Sequence, residues 1–516
     1  MIVEILIFLF TSLIVYCIYV HKSIHYLYKK RGLKYIPGVP LFGNAFNSTI
    51  RKKHFVEDID AIYKQFPDEK YIGYTQGTTP IILIRDPEII KSITVKDFDH
   101  FVDHRQFLSE DVEPLIGASL FFMKGNKWRD MRTTLSPAFT GSKMRLMMPF
   151  MTEISDTIVE YLKDHALEDI DVCDLMRRYS NDVIASCGFG CQVNSVNDKE
   201  NEFYKTGQSL FEMTTLQRTK LIISMYFPSI AKNLGLKIFE EKDVSFFQNL
   251  VKDTMEYREK NNIERPDMIQ LLMQATKGNL KTDESEIDID KIKRGQIREW
   301  SQQDLVGQVF IFFFAGFETS AATLSLTVHE LAVNPLVQEK LYEEIKTFHE
   351  TKGKMLYENV NELKYLDCVI NETLRKWSPA LIMDRVCTKP YELPPPREGG
   401  KPTKLNPGDY VYNMVNSIHL DPRHYPEPEV FNPERFSEEN KNEIKPFTFM
   451  PFGIGPRTCI GTRFAMLEIK VLIYNIILNF KILKCDKTTE PILLKPHEFN
   501  IAALGGTWVK LETRTK

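Results

Sequence analysis

A ten-residue stretch of this chain is built to present a sulfur. Phe452-Gly453-Ile454-Gly455-Pro456-Arg457-Thr458-Cys459-Ile460-Gly461 reads as a glycine-rich loop that delivers a cysteine to the start of a helix. The helix follows at once, because Thr462 to Lys470 combines good helix formers with apolar residues at helical spacing. A thiol in that place faces orphan backbone N–H groups and the positive end of the helix dipole, which predicts a lowered pKa. The thiolate could be a nucleophile or a metal ligand, and its neighbours favour ligand. Gly455 and Gly461 let backbone approach something flat or turn with positive φ. Arg457 is a fork donor suited to a carboxylate, and Phe452 supplies an apolar wall that keeps water from the sulfur. Excluding water and tuning hydrogen bonds at sulfur is how a protein adjusts a metal-bound thiolate. The plainer reading, a buried free cysteine at a loop–helix junction, loses weight because F-x-x-G-x-R-x-C-x-G fixes so many positions at once.

Three further constellations could serve such a sulfur. Trp128 and Arg132 are four apart in a helical run and share a face, so an indole and a guanidinium stand together as a carboxylate-binding pair. A half-buried tryptophan beside a surface arginine would give the same pattern. The run from Phe310 to Ser320 is apolar nearly all round, which demands burial. Yet it carries Gly316, costing about 1 kcal/mol against alanine in a helix, and then Glu318-Thr319. A buried acid–alcohol pair is expensive without a task; the alternative is a polar strip facing solvent. Glu372 and Arg375 pair on one helix face. That pattern is usually a surface feature worth little, and it gains meaning from Phe431-Asn432-Pro433-Glu434-Arg435-Phe436 downstream.

The elements that must position these residues are mostly helical. A chain of 516 residues with 43% hydrophobic and 26% charged residues is a folded globular protein. A net charge of −3 provides no global basic field, which removes support for nucleic-acid binding. Eight scattered cysteines without a C-x-x-C pair fit free thiols in a reducing compartment. Ile2 to Val20 is apolar except Glu4, Thr11 and Ser12, and would extend about 28 Å as a helix, close to a bilayer core. Basic residues from His21 to Lys34 follow, which places the rest of the chain in the cytosol. No basic leader or small-residue cleavage site argues for a cleaved signal peptide instead. The expected organisation is therefore a membrane anchor at 1–21, a basic and proline-rich hinge at 22–40 containing Ile36-Pro37-Gly38-Val39-Pro40, and a catalytic domain at 41–516. Tyr71–Tyr74 and Pro80–Ile84 read as short strands, giving a fold that is mainly α with small β-sheets. Residues 221–228 are unusually apolar for a connection, suiting core packing or a lid that dips into a membrane. The charged run 277–298 reads as a solvated connection. Ser301–Asp304 predicts a capping box opening a helix that continues to Val333, about 48 Å long.

Together these motifs resemble those of the cytochrome P450 family, in order and in spacing, from about residue 30 to the C-terminus. The finer likeness is to insect microsomal members of the xenobiotic-detoxifying clan, in segments such as Phe101-Val102-Asp103-His104-Arg105. The resemblance implies the cytochrome P450 fold, one haem b, and Cys459 as axial ligand of its iron. It implies that Arg457, Trp128, Arg132 and Arg385 hold propionates, with His104-Arg105 as a further donor. Phe452, Gly461, Ala315 and Gly316 would also border the haem, the glycine permitting close approach. Thr319 and Glu318 would hold water and relay protons, and Glu372, Arg375 and Arg435 would form a structural network under the cysteine loop. Phe310, Phe314, Ala380, Leu381, Ile382 and Leu504 would line an apolar substrate pocket. The implied reaction is monooxygenation of a lipophilic small molecule at the endoplasmic reticulum membrane. Electrons would come from NADPH–cytochrome P450 reductase, with cytochrome b5 as a second donor, and Lys127, Arg129, Lys143, Lys445 and Arg463 offer basic docking contacts. Oxidation of an endogenous lipid or hormone by the same chemistry is the alternative. Isomerases and dehydratases of this fold commonly lack the threonine, and a haem sensor or carrier would not need Glu318-Thr319.

Overall fold

The computed structural model describes residues 2–108, 110–276, 300–496, 498 and 500–514. The charged run 277–298 lies outside the described residues. The architecture is mainly helical with small sheets, as expected. One four-stranded sheet runs in the order Tyr71–Gln76, Thr79–Ile84, Tyr410–Met414, Ile382–Val386. Its first and last pairings are antiparallel and the middle one is parallel. A three-stranded sheet joins Ile170–Asp171, Trp508–Thr513 and Phe480–Leu483.

At the centre lies the core helix, Gln302–Val333. Ser301 caps it in a reciprocal box with Asp304, and Asn334-Pro335 ends it. Its apolar length is explained by burial: it packs against the crossing helix Val172–Ile184, the cysteine helix Thr462–Asn479 and the helix Lys364–Lys376. It is also the described helix that is long and apolar enough to cross a bilayer, and a buried core helix satisfies the same criterion. Two apolar clusters meet on it. One is built from the cysteine helix, the helix Gly141–Asp164 and the crossing helix. The other is rich in phenylalanine, with Phe189, Phe203, Phe247, Phe310, Phe313 and Phe317 in edge-to-face and tilted pairs.

The N-terminal helix is a single element, Ile2–Lys30. Its outer part exposes Ile7, Phe8, Val15 and Tyr19. Its inner part is docked: Ile24 and Tyr28 are buried in the cluster around the four-stranded sheet. The Tyr28 hydroxyl donates to the Tyr74 carbonyl at 2.5 Å and accepts from the Ile81 amide at 3.1 Å. The stretch expected as a hinge from residue 22 is thus helix through Lys30. A Cβ at Gly73 would lie 2.8 Å from the Tyr28 ring, so that glycine is what lets the aromatic ring lie on the strand.

Candidate functional site

The cysteine loop is held in shape by its own backbone. The Cys459 amide donates to the Phe452 carbonyl at 2.8 Å, and the Thr458 amide donates to Gly455 at 2.9 Å. Gly453 and Gly455 take φ of +75° and +77°. A Cβ at Gly455 would fall 2.0 Å from the Thr94 carbonyl oxygen, so only glycine fits the loop against its neighbour there. Gly461 differs. Its φ is ordinary, and a Cβ there would sit 3.9 Å from the Cys459 sulfur and 4.0 Å from Phe139. Nothing in the protein forbids a side chain at 461; what glycine leaves clear is the space beside the sulfur. Cys459 has high accessible surface although it lies deep in the chain. Burial pushes its thiol upward, and the Gly461 amide and Arg132 oppose that without reversing it. The lowering expected from the helix N-terminus alone is therefore outweighed in the protein by desolvation.

Under the loop, the expected network is present. Arg375 grips Glu372 through two parallel bonds of 2.7 and 2.8 Å, both residues being fully buried. Arg435 approaches the same carboxylate at 3.5 Å, and the Asn432 amide donates to it at 2.9 Å. The link from this network to the loop is a residue that sequence reasoning missed. Arg375 donates to the His419 carbonyl at 2.9 Å, and the His419 Nε2 accepts the Met450 amide at 2.9 Å. Met450 stands two residues before Phe452. With Nε2 accepting, the ring proton sits on Nδ1, facing the Arg375 carbonyl at 3.2 Å. Burial and the Arg375 charge push His419 down to about 3, so it is neutral wherever the protein is folded.

Three buried guanidiniums converge in front of the loop. Arg457 stacks over the Trp128 ring at 4.0 Å. It donates to the carbonyls of Val102 at 2.9 Å, Leu120 at 3.2 Å and Met123 at 2.8 Å. Most of its fork is thus committed to backbone, so its role is to fix the loop against the segment 102–123 rather than to offer a free fork. Arg132 is the reverse case. Its Nε has no hydrogen-bond partner among the described residues, and burial lowers it to about 10, with Cys459 as the group that raises it. Arg385 likewise has an orphaned Nε and is lowered to about 10 by burial, Asp384 opposing. Asp384 is shared: it accepts from the Arg105 amide at 2.5 Å and meets His104 Nδ1 at 2.9 Å. His104 and that amide, against the opposing cost of burial, hold Asp384 at about 2. The Arg105 side chain turns away to Gln76, Tyr412 and the Met225 carbonyl, so it is not a donor at this site.

Buried cations without anions are costly, and Arg132 and Arg385 together ask for an anionic group beside Cys459. A planar macrocycle with two carboxylates and an iron fits that donor set: a sulfur ligand, an uncluttered glycine beside it, and two guanidiniums with unused N–H groups.

Across the space stands the core helix. Ala315 is exposed and Thr319 partly so, with Phe313, Phe317, Glu318 and Ser320 buried between and beside them. They share one face, and the Thr319 hydroxyl donates to the Ala315 carbonyl at 2.7 Å. Gly316 does not face that space. A Cβ on it would lie 2.5 Å from Ile184, so the close approach it permits is that of the crossing helix. Glu318 also points to that side: its carboxylate meets Arg177 Nε at 2.8 Å and Nη2 at 3.2 Å. Burial raises Glu318 and Arg177 opposes. A free acid beside Thr319 is thus replaced by an ion pair that must be broken before Glu318 can carry a proton. Neither Arg177 nor Glu468 was marked by spacing. Glu468 is fully buried in the cysteine helix, accepts from Ser320 at 2.7 Å, and is raised to about 8 by burial. A lone acid in an apolar helical run was the signal available for it.

The expected pocket residues divide. Phe314 stacks on Phe211 at 4.7 Å, and Ala380 and Ile382 are partly exposed. Phe310 and Leu381 are buried in packing, Phe310 against Phe247 and Leu381 beside Leu326 and Ile501. Leu504 is 46% exposed at the turn before Gly505. Of the basic surface, Lys127 is paired with Asp304 at 2.8 Å and Arg129 with Asp99 at 2.6 Å, while Lys445 is exposed.

Known proteins are similar to this chain in sequence over nearly its whole length. The family model described as "Cytochrome P450" matches residues 34–506. The chain is 41% identical over 500 residues to "Probable cytochrome P450 9f2" of Drosophila melanogaster, covering 94% of this chain and 95% of that protein. It is 40% identical over 510 residues to "Cytochrome P450 9e2" of Blattella germanica, covering 95% and 94%. "Cytochrome P450 6k1" of Blattella germanica is 34% identical over 502 residues, covering 95% and 94%.

Proposed function

From the premise that this chain belongs to the cytochrome P450 family, we propose that it oxidises lipophilic foreign compounds at the cytosolic face of the endoplasmic reticulum membrane. As a member it is a haem b monooxygenase, an oxidoreductase that needs a redox partner and a small-molecule substrate. When bound, the haem supplies activation of O2 and insertion of one oxygen atom into the substrate, chemistry beyond any side chain.

What the residues do follows from their places. Cys459 would ligate the iron, with the loop carbonyls and glycines fixing its sulfur and Phe452 limiting water. Arg132 and Arg385 would neutralise the propionates with N–H groups that have no other partner among the described residues. Thr319, whose hydroxyl donates to the Ala315 carbonyl, keeps its oxygen free to accept from a water. Glu318 can supply a proton only when Arg177 releases it. The aromatic wall of Phe211, Phe314 and Phe239 favours apolar substrates. The observation that carries this reading is the pair of buried guanidinium Nε groups, on Arg132 and Arg385, left without partners among the described residues, together with the charge interaction between Arg132 and Cys459.

The anchor reading is supported by the exposed apolar residues of Ile2–Lys30. Leu216, Ile230 and Leu234 add exposed apolar surface on the helices Thr215–Tyr226 and Pro228–Asn233. Electrons would come from NADPH–cytochrome P450 reductase, with cytochrome b5 as a second donor, docking near exposed Lys445. Full-length protein reconstituted with that reductase should consume NADPH and O2 and yield an oxygenated product from a lipophilic insecticide or plant toxin. Turnover of peroxide substrates without NADPH would replace this reading by an isomerase or dehydratase.

A further inference from the structure

The segment between Glu113 and Leu120 is clamped to the core helix. Gln308, fully buried, accepts the Leu120 amide at 2.7 Å and donates to the Ala118 carbonyl at 2.9 Å. Gly307 lets the Leu115 carbonyl come close; a Cβ there would lie 2.9 Å from it. From this fixed post the Glu113 side chain reaches across to the connection that precedes the helix Glu241–Asn261. Its Oε1 accepts the amides of both Ile238 and Phe239, the latter at 3.2 Å. The carboxylate is 4% exposed. It has no side-chain cation within bonding distance among the described residues, so these two backbone N–H groups are its main satisfaction. Beside it, Lys232 of the helix Pro228–Asn233 pairs with Asp111 at 2.6 Å.

The gripped segment covers the substrate side. Phe239 sits edge-on to Phe314 at 6.1 Å, and Phe314 is next to the open Ala315. The part of the chain leading into it is lightly held. Residues 228–237 are mostly exposed, and the helices Thr215–Tyr226 and Pro228–Asn233 pack chiefly on each other. Where the two helices join, the pair is fastened again, the Met225 carbonyl accepting from Arg105 at 2.8 Å and Tyr226 bonding Thr49 at 2.7 Å. The stretch between the ties at 225–226 and at 238–239 also accepts from Lys220 at the Lys237 carbonyl, at 2.9 Å, and lifts only as such ties are released. The Glu113 tie is the one that lies over the aromatic wall.

We propose that Glu113 is the residue that sets access to the distal pocket, its carboxylate latching residues 238–239 closed so that bulky ligands wait for the latch to release while small ones do not. The proposal deepens the reading of a haem enzyme with lipophilic substrates and rests on it. A carboxylate bonded to two N–H groups is charge-assisted, and carboxamide replaces it with a neutral acceptor. Opening moves both partners into water, which lowers the cost of release relative to breaking the bonds in place.

The test uses the full-length haem-loaded protein in detergent and follows the Soret shift in stopped flow with two nitrogen ligands, imidazole and a bulky aryl azole. In Glu113→Gln the association rate of the bulky azole should rise about tenfold while imidazole is unchanged. Hydrogen exchange at the Ile238 and Phe239 amides should rise with it. Lys232→Ala, at an exposed pair, should shift the bulky rate in the same direction by a smaller factor without threatening the fold. Equal acceleration of both ligands, or no change in either together with faster exchange at 238–239, would overturn the latch. Absence of any Soret shift in the unaltered protein would instead overturn the haem-thiolate reading beneath it.

Discussion

The two sides of the sulfur are built on opposite principles. Behind Cys459, polar groups are closely matched. Glu372 takes two bonds from Arg375 and one from the Asn432 amide, His419 uses both ring nitrogens, and Arg457 spends its fork on carbonyls. In front, the opposite holds: Arg132 and Arg385 keep orphaned N–H groups, Thr319 bonds only its own helix, and the wall is stacked phenylalanine. Apart from Arg435 Nε, which has no hydrogen-bond partner among the described residues, the groups behind the sulfur are matched, and such a network fixes one geometry because a displacement breaks a bond. Unsatisfied cations and apolar faces define a demand instead, for an anionic group and a lipophilic ligand. The chain is thus rigid where the iron ligand must be placed and unsaturated where other molecules must bind.

The sharpest test of this contrast is Cys459→Ala. It should abolish the thiolate-type spectrum of the reduced carbon monoxide complex outright while leaving the far-ultraviolet circular dichroism intact. A retained thiolate-type band would sink the assignment of the sulfur. Next in size, Glu372→Ala should cost about 3–5 kcal/mol, because it leaves Arg375 buried and uncompensated. Urea unfolding followed by fluorescence would measure it, and a loss under 1 kcal/mol would mean that the network is not a rigid unit.

Glu468 lies between the two sides and carries the pH dependence. Its folded pKa is raised to about 8 against an ordinary carboxyl value, so the folded state binds the extra proton. That stabilisation is complete below the unfolded pKa and is lost as pH rises from there through about 8. Relaxation reduces the ceiling, and roughly 2–3 kcal/mol of stability should disappear between pH 5 and pH 8.5. Glu468→Gln should flatten that slope; an unchanged slope would place the titrating group elsewhere.

In front of the sulfur the sign should reverse between stability and binding. Arg132→Gln removes a buried charge lacking a partner, so the haem-free chain should gain about 1–2 kcal/mol while the haem is retained less well on gel filtration. Loss of stability in the haem-free chain would show that Arg132 belongs to the satisfied side. Smallest on stability is Thr319→Ala, expected within about 0.5 kcal/mol because the hydroxyl returns only to its own helix. Its effect should show in the yield of oxygenated product per NADPH consumed, which should fall.

Spacing along the chain made the cysteine loop and the core helix with its cap and stop legible, because each is local or follows from helical periodicity, while the joining of Glu372 and Arg375 to the distant Arg435 was legible only through the resemblance to the family. Ala315 and Thr319 were legible for the same reason. Gly316 and Glu318 were misplaced: on a helix buried all round, sequence says that a residue is inside but not which neighbour it meets. Tertiary packing turned Gly316 to Ile184 and Glu318 to Arg177. His419 left no trace in any motif, since its role is to join two segments far apart in the chain.

What the sequence determined by itself was the candidate ligand and its local stage: the cysteine, the glycines that turn the loop, the long apolar helix and the family to which they belong. What only the tertiary structure decided was partnership. It gave Arg457 to backbone carbonyls, left the Nε groups of Arg132 and Arg385 without partners among the described residues, and raised the Cys459 thiol where the helix dipole alone would lower it. The reason is physical: motifs and periodicities are short-range properties of a chain. Desolvation and charge compensation depend on which distant segments close around a group, and that is settled only when the chain is folded.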